Sequence, residues 1–170
     1  MAGQFPVNVW RSHGTGVNMN VNEVIANRAN EILTGHKGYD AVHPNTHVNM
    51  CQSSNDTYPT AEAIVLYRMI GKALKSVRYL EDALAKKALE FKDDVRLGRT
   101  CMQDAVPMTL GQEFHGWGTT IADEIKVIKE AQAHLKVVNL GATAIGTTVT
   151  CHPEYPAKAV KRLAELTGIP

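Results

Sequence analysis

Three short polar segments carry side chains suited to work on a charged small molecule. They are Gly14-Thr15-Gly16-Val17-Asn18-Met19-Asn20, Gln52-Ser53-Ser54-Asn55-Asp56 and Gly98-Arg99-Thr100-Cys101-Met102-Gln103-Asp104. Hydroxyls, amides and nearby backbone N–H groups all donate to carboxylate oxygens, so such segments can hold a small acid by directed hydrogen bonds. A packed core does not need them. Each segment is expected at the end of a helix. Plainer readings stand beside this one. Ser53 to Asp56 also suits a helix start, since Ser and Asn cap helices and Pro59 fits a first turn. Thr15 between two glycines suits a simple turn, and Thr100 a cap or turn after Gly98. Arg99 can balance a carboxylate ligand or pair with Asp104. Cys101 is a reactive thiol or an inert one.

Composition removes several function classes. The chain of 170 residues has 18 basic and 17 acidic side chains, interspersed, for a formal charge of +1. No stripe for nucleic acid results. No apolar stretch approaches the ~20 residues of a membrane helix, and the start lacks the basic and apolar regions of a signal peptide. The length suits one domain, and 44% apolar residues can supply a core. Cys51, Cys101 and Cys151 form no C-x-x-C pair, which argues against a zinc site. Their odd number argues against a disulfide framework and for reduced thiols in the cytoplasm. His43, His47, His115 and His152 are of the residue type most used for acid–base work, but their surroundings nominate none of them as catalytic.

The elements that must position these groups are helical. Residues before about 12 read as extended. Asn22 to Leu33 reads as a short helix capped by Asn22 and ended by Gly35. A long irregular stretch follows to Tyr58, and such loops are often functional. Pro59 is expected to open a long helix. Leu66, Ile70, Ala73, Val77, Leu80, Leu84, Ala88 and Phe91 recur about every 3.6 residues on one face. A second long helix is expected from about Thr109 to Val138, with Phe114, Trp117, Ile121, Ile125, Ile128, Leu135 and Val138 as its stripe. A Gly- and Thr-rich loop from Gly141 to Pro153 precedes a last helix, Glu154 to Leu166, ended by Gly168. A helix from Pro59 to Phe91 would be roughly 50 Å long, against a radius of gyration of ~15 Å for a globule of this length. Its stripe needs further helices, so an oligomerising rod or a piece of one is expected.

At these segments the chain resembles the aspartase/fumarase superfamily. The resemblance rests on Gln4-Phe5-Pro6-Val7, on Asn18-Met19-Asn20 running into Asn22-Glu23-Val24-Ile25-Ala26-Asn27, and on Val48-Asn49-Met50-Cys51-Gln52-Ser53-Ser54-Asn55-Asp56. Gly98-Arg99-Thr100, the run from Gln103 to Phe114, and Asn139-Leu140-Gly141-Ala142-Thr143-Ala144-Ile145-Gly146-Thr147 complete it. It covers essentially the whole chain in collinear order. Cys101, where fumarases carry a His, and Ala142 within Leu140 to Gly146 favour the aspartase branch. His43-Pro44-Asn45 and His152-Pro153-Glu154-Tyr155 are equally at home in fumarases.

The resemblance implies an all-α fold: the remainder of an N-terminal domain over 1–50 and part of a central long-helix bundle over 51–170, assembled as a homotetramer. It implies reversible anti-elimination of ammonia from L-aspartate to give fumarate, with no cofactor and no metal. Hydration of fumarate to malate is the alternative. A non-catalytic helical assembly module is the alternative of another class. Thr15, Ser53, Ser54, Asn55 and Thr100 would bind substrate, and His43 with Asn45 would form a secondary carboxylate site. Thr46, where the family often has Asp, puts that second site in doubt. The family's Gly-Ser-Ser loop, which supplies the base serine, is expected beyond Pro170, so no catalytic base is assigned within the chain. The usual region before Gln4 is also missing.

Overall fold

The computed structural model describes residues 14–170. The extended start and the Gln4 to Val7 match lie outside the described residues. The order is α1 (Gly14–Thr34), a π-helical turn (Pro44–Val48), α2 (Ser54–Glu90), β1 (Val95–Thr100), β2 (Gln103–Thr109), α3 (Leu110–His134) and α4 (Tyr155–Thr167). The fold is predominantly helical, as the sequence implies, with one small antiparallel hairpin that an all-α reading omits. The described residues form two compact units, one made of the part up to Ile64 together with Lys136–Pro170, the other Val65–Leu135.

In the first unit α1 takes in the whole Gly14 to Asn20 segment, which the sequence reading leaves as a loop. Glycine and asparagine are poor helix formers, and packing overrides them here. A Cβ on Gly14 would lie 3.0 Å from Tyr58 Cγ, so the glycine permits close approach to α2. Asn22 is not a cap; it is buried within α1. The irregular stretch after α1 hangs on Asn30, which is fully buried. Its amide donates to Ala26 O (2.8 Å) and Val42 O (2.7 Å), and its oxygen accepts Ala41 N (2.8 Å) and Val42 N (3.1 Å). All its polar capacity is met, so burial costs little. Gly35 after α1 and Gly168 after α4 adopt φ of +82° and +68°, as their expected helix-ending role requires.

In the second unit α2 and α3 run antiparallel. Phe91 packs on Phe114 with ring centroids 5.7 Å apart, Gly118 adjoins Leu84, and Gln132 Nε2 donates to Tyr67 O at 2.8 Å. Among the described residues the buried hydrophobic side chains are Ala26, Leu74 and Ile125. The covered face of α2 keeps Ile70, Val77, Leu84, Ala88 and Phe91 of the predicted stripe and replaces Leu66, Ala73 and Leu80 by Tyr67 and Leu74. Leu66 and Leu80 are 48% and 46% exposed, while Tyr67, Ile70, Leu74, Val77, Leu84, Ala88 and Phe91 are covered to a greater degree. Those positions recur in the steps of three and four of a coiled-coil seam.

The hairpin pairs Val95 with Thr109 and Thr100 with Gln103, with an irregularity between Leu97 and Arg99. Gly98 sits at that irregularity. A Cβ there would lie 2.9 Å from Val106 O, so only glycine lets the strands close. Thr109 then caps α3 in a reciprocal box with Gln112, through bonds of 3.1 Å and 2.9 Å.

Candidate functional site

The start of α2 gathers the polar groups of the first unit. Asp56 is fully buried, yet each of its oxygens is satisfied. Oδ1 accepts the Ser53 N–H at 3.0 Å, and Oδ2 accepts the N–H groups of Gly141 (3.2 Å) and Thr143 (2.9 Å). A carboxylate with three backbone donors tolerates burial. Ser53 caps α2, its hydroxyl accepting the Asn55 N–H at 3.2 Å. The helix-start reading of this segment is therefore realised at Ser53 and Asp56, and α2 begins five residues ahead of Pro59. The Ser53 hydroxyl keeps its proton available to donate.

Thr15 Oγ1 on α1 meets Ser54 Oγ at 3.2 Å. Asn55 Nδ2 donates to Ala144 O at 2.9 Å. Four predicted residues, Thr15, Ser53, Ser54 and Asn55, are thus brought together. Asparagines behind them set the spacing. Asn18 and Asn22, one turn apart on α1, both donate to Asn49 Oδ1, at 3.1 Å and 3.0 Å. Thr57 Oγ1 on α2 donates to Asn18 Oδ1 at 3.2 Å. Sequence reading nominated none of Asn18, Asn49 or Asp56 as a site residue. The pattern Ser53-x-x-Asp56 is the capping-box signature and could have revealed Asp56; no local signal marks the asparagine cluster.

Thr100 belongs to the second unit, at the hairpin tip. Residues 98–104 are strand and turn rather than a helix end. Cys101 and Met102 carry φ of +48° and +62°, a conformation that costs non-glycine residues energy and collects at functional loops. Arg99 Nε donates to Asp104 Oδ1 at 3.0 Å, so the structural pairing is the one formed. Both partners are exposed, and such a pair contributes at most ~1 kcal/mol.

His43 and Asn45 lie at the π-helical turn. His43 Nδ1 accepts the N–H groups of Asn45 (3.3 Å) and Thr46 (3.2 Å), so a neutral His43 carries its proton on Nε2 as a donor. The Thr46 hydroxyl lies 3.3 Å from the same Nδ1. Tyr155 at the start of α4 has its phenol pushed up, first by burial, with Gln52 hydrogen-bonding in the opposing direction and the Asp56 charge adding to the rise.

The lyase family model matches residues 1–170. The chain belongs to the class II fumarase/aspartase superfamily. It is similar to an aspartate ammonia-lyase of Escherichia coli (strain K12), 48% identical over 169 residues that cover 98% of this chain and 35% of that relative. It is equally similar to a class II fumarate hydratase of Neisseria meningitidis, 48% identical over 171 residues, 99% of this chain and 37% of that relative. Among solved structures, a fumarate lyase:delta crystallin from Brucella melitensis matches with a TM-score of 0.85 and 43% identity over 92% of this chain and 34% of that one. The chain therefore spans about a third of the length of the superfamily members it matches. No described helix is long and apolar enough to cross a membrane.

Proposed function

We propose that the protein containing this chain catalyses a reversible elimination that gives fumarate from a four-carbon dicarboxylic acid substituted at C2. The observation that carries this reading is the meeting of the Thr15 and Ser54 hydroxyls beside Ser53 and Asn55 at the start of α2, in a chain of this superfamily. Removing a C3 proton leaves an aci-carboxylate dianion, and donors fixed in advance lower its energy most. Thr15, Ser53, Ser54, Asn55 and Thr100 supply those donors, and His43 with Asn45 offers a second carboxylate contact. The base belongs to a segment outside this chain. The C3–H and C2–heteroatom bonds break on opposite faces, and no cofactor takes part.

Two leaving groups fit. Ammonia, from L-aspartate, is favoured by Cys101 and Ala142. Water, from malate, is favoured by the 48% identity to a fumarate hydratase and by a solved class II fumarase from Schistosoma mansoni, which matches with a TM-score of 0.83. The comparisons lean to water. A domain boundary near residue 50, assembly as a homotetramer and a cytoplasmic location belong to the same proposal. Supplying the complete protein with L-aspartate and with L-malate, and following fumarate by ultraviolet absorbance, tests it. Fumarate from one of the two supports elimination and names the leaving group; fumarate from neither refutes it.

A further inference from the structure

Cys51 precedes the Gln52 to Asp56 segment, and Cys151 closes the loop before α4. The fold brings them together in the first unit. Cys51 Sγ accepts the His152 backbone N–H at 3.5 Å, and Cys151 Sγ lies 3.4 Å from the His152 carbonyl oxygen. Both sulfurs thus engage the main chain of one residue, His152. Both thiols are free and half-buried. Cys51 lines an open cleft of about 400 Å³ together with Met50, His152, Glu154, Tyr155 and Lys158, wide enough to admit a small oxidant.

We propose that Cys51 and Cys151 form an oxidation site at which hydrogen peroxide converts the thiol pair into a disulfide. Cys51 is the sulfur that accepts a backbone N–H and lines the open cleft, whereas Cys151 directs its S–H to the His152 carbonyl. Burial, and next the neighbouring Cys51, push the Cys151 thiol up, so Cys51, which lines the cleft, attacks first. The Cys51 thiolate breaks the peroxide O–O bond, releases hydroxide and becomes a sulfenic acid. The Cys151 sulfur then attacks that sulfur. An S–S bond forms, the S–O bond breaks, and water departs with the Cys151 proton. Two electrons pass from the pair to the peroxide. The new bond ties the segment leading into Ser53 to the loop whose Gly141 and Thr143 amides hold Asp56.

The test treats the complete protein with hydrogen peroxide, blocks free thiols with N-ethylmaleimide, and maps peptides by mass spectrometry without reduction. A Cys51–Cys151 linked peptide is expected, two hydrogens lighter than its parts and lost after dithiothreitol. In Cys151→Ser the linked peptide should vanish and Cys51 should take up dimedone; in Cys51→Ser, Cys151 should stay open to N-ethylmaleimide. Exposed Cys101 is the internal control. The proposal is overturned if peroxide oxidises Cys101 while Cys51 and Cys151 remain alkylated. It is equally overturned if Cys51 pairs elsewhere, or if Cys151 oxidises as readily in Cys51→Ser.

Discussion

Asn139 Nδ2 donates to the Asn55 carbonyl oxygen at 2.7 Å. That oxygen is the one a residue at position 59 would bond in a regular helix, and Pro59 inside α2 has no N–H to offer. The side chain of a distant loop thus fills the gap that proline opens one turn into the helix. Asn139→Ala should remove this bond and lower stability by about 0.5–1.5 kcal/mol, the net worth of one exposed hydrogen bond. In a Pro59→Ala background the backbone donor returns, and the same substitution should cost clearly less. Thermal or denaturant unfolding of the four proteins in this double-mutant cycle decides it; equal costs in both backgrounds would show that Asn139 acts otherwise.

Asp56→Asn should destabilise by about 1.5–3 kcal/mol. The carboxylate accepts from Ser53, Gly141 and Thr143 while fully buried. An amide would turn an NH₂ group towards at least one of those donors. A variant with unchanged unfolding temperature would contradict this.

Gly141→Ala should damage the same loop. Gly141 has φ of +91°, and a Cβ would lie 2.7 Å from Pro156 Cα. Positive φ alone costs of order 1–3 kcal/mol in other residues, and the backbone contact adds to it. Unfolding measurements should rank Gly141→Ala well below Gly146→Ala, since Gly146 at φ +85° has nothing within 4 Å. Equal effects would remove the role given to the Pro156 contact.

The helices were readable in outline because their signals are local. Gly35 and Gly168 end helices through backbone geometry, and the Thr109–Gln112 box starts one through local side-chain hydrogen bonds. What escaped depends on partners distant in sequence. Gly14 to Asn20 becomes helical because Gly14 fits against Tyr58 and because Asn18 and Asn22 share Asn49. The hairpin was missed because its turn holds Cys101 and Met102 at positive φ instead of the Asn-Gly that announces such turns. The stripe on α2 was right at Ile70, Val77, Leu84, Ala88 and Phe91 but wrong at Leu66 and Leu80, because most of the helix is exposed and Leu74 is its one buried apolar side chain among the described residues. At the candidate site, the types of Thr15, Ser53, Ser54 and Asn55 and the helix start at Ser53 could be read from sequence, but the contact of Asn55 with the distant Ala144 carbonyl could not.

Residues 1–170 expressed alone should self-associate and give no fumarate. Val65, Met69 and Leu89 on α2 are 54%, 59% and 72% exposed. Burial contributes roughly 25 cal/mol per Å², so covering several such side chains is worth several kcal/mol. Sedimentation velocity checks the first claim, and a compact monomer with a sharp unfolding transition would contradict it.

The most direct test concerns Ser54, whose hydroxyl meets Thr15 Oγ1 while Asn55 is occupied with Ala144 O. In the complete protein, Ser54→Ala should lower the turnover number for fumarate formation by about a hundredfold, the usual loss for one donor to a developing oxyanion, with the unfolding temperature unchanged. Asn55→Ala should lower both turnover and stability, the latter by about 1 kcal/mol. Full turnover in Ser54→Ala, or a loss of turnover matched by a loss of stability, would show that the start of α2 is a helix cap and not a carboxylate site.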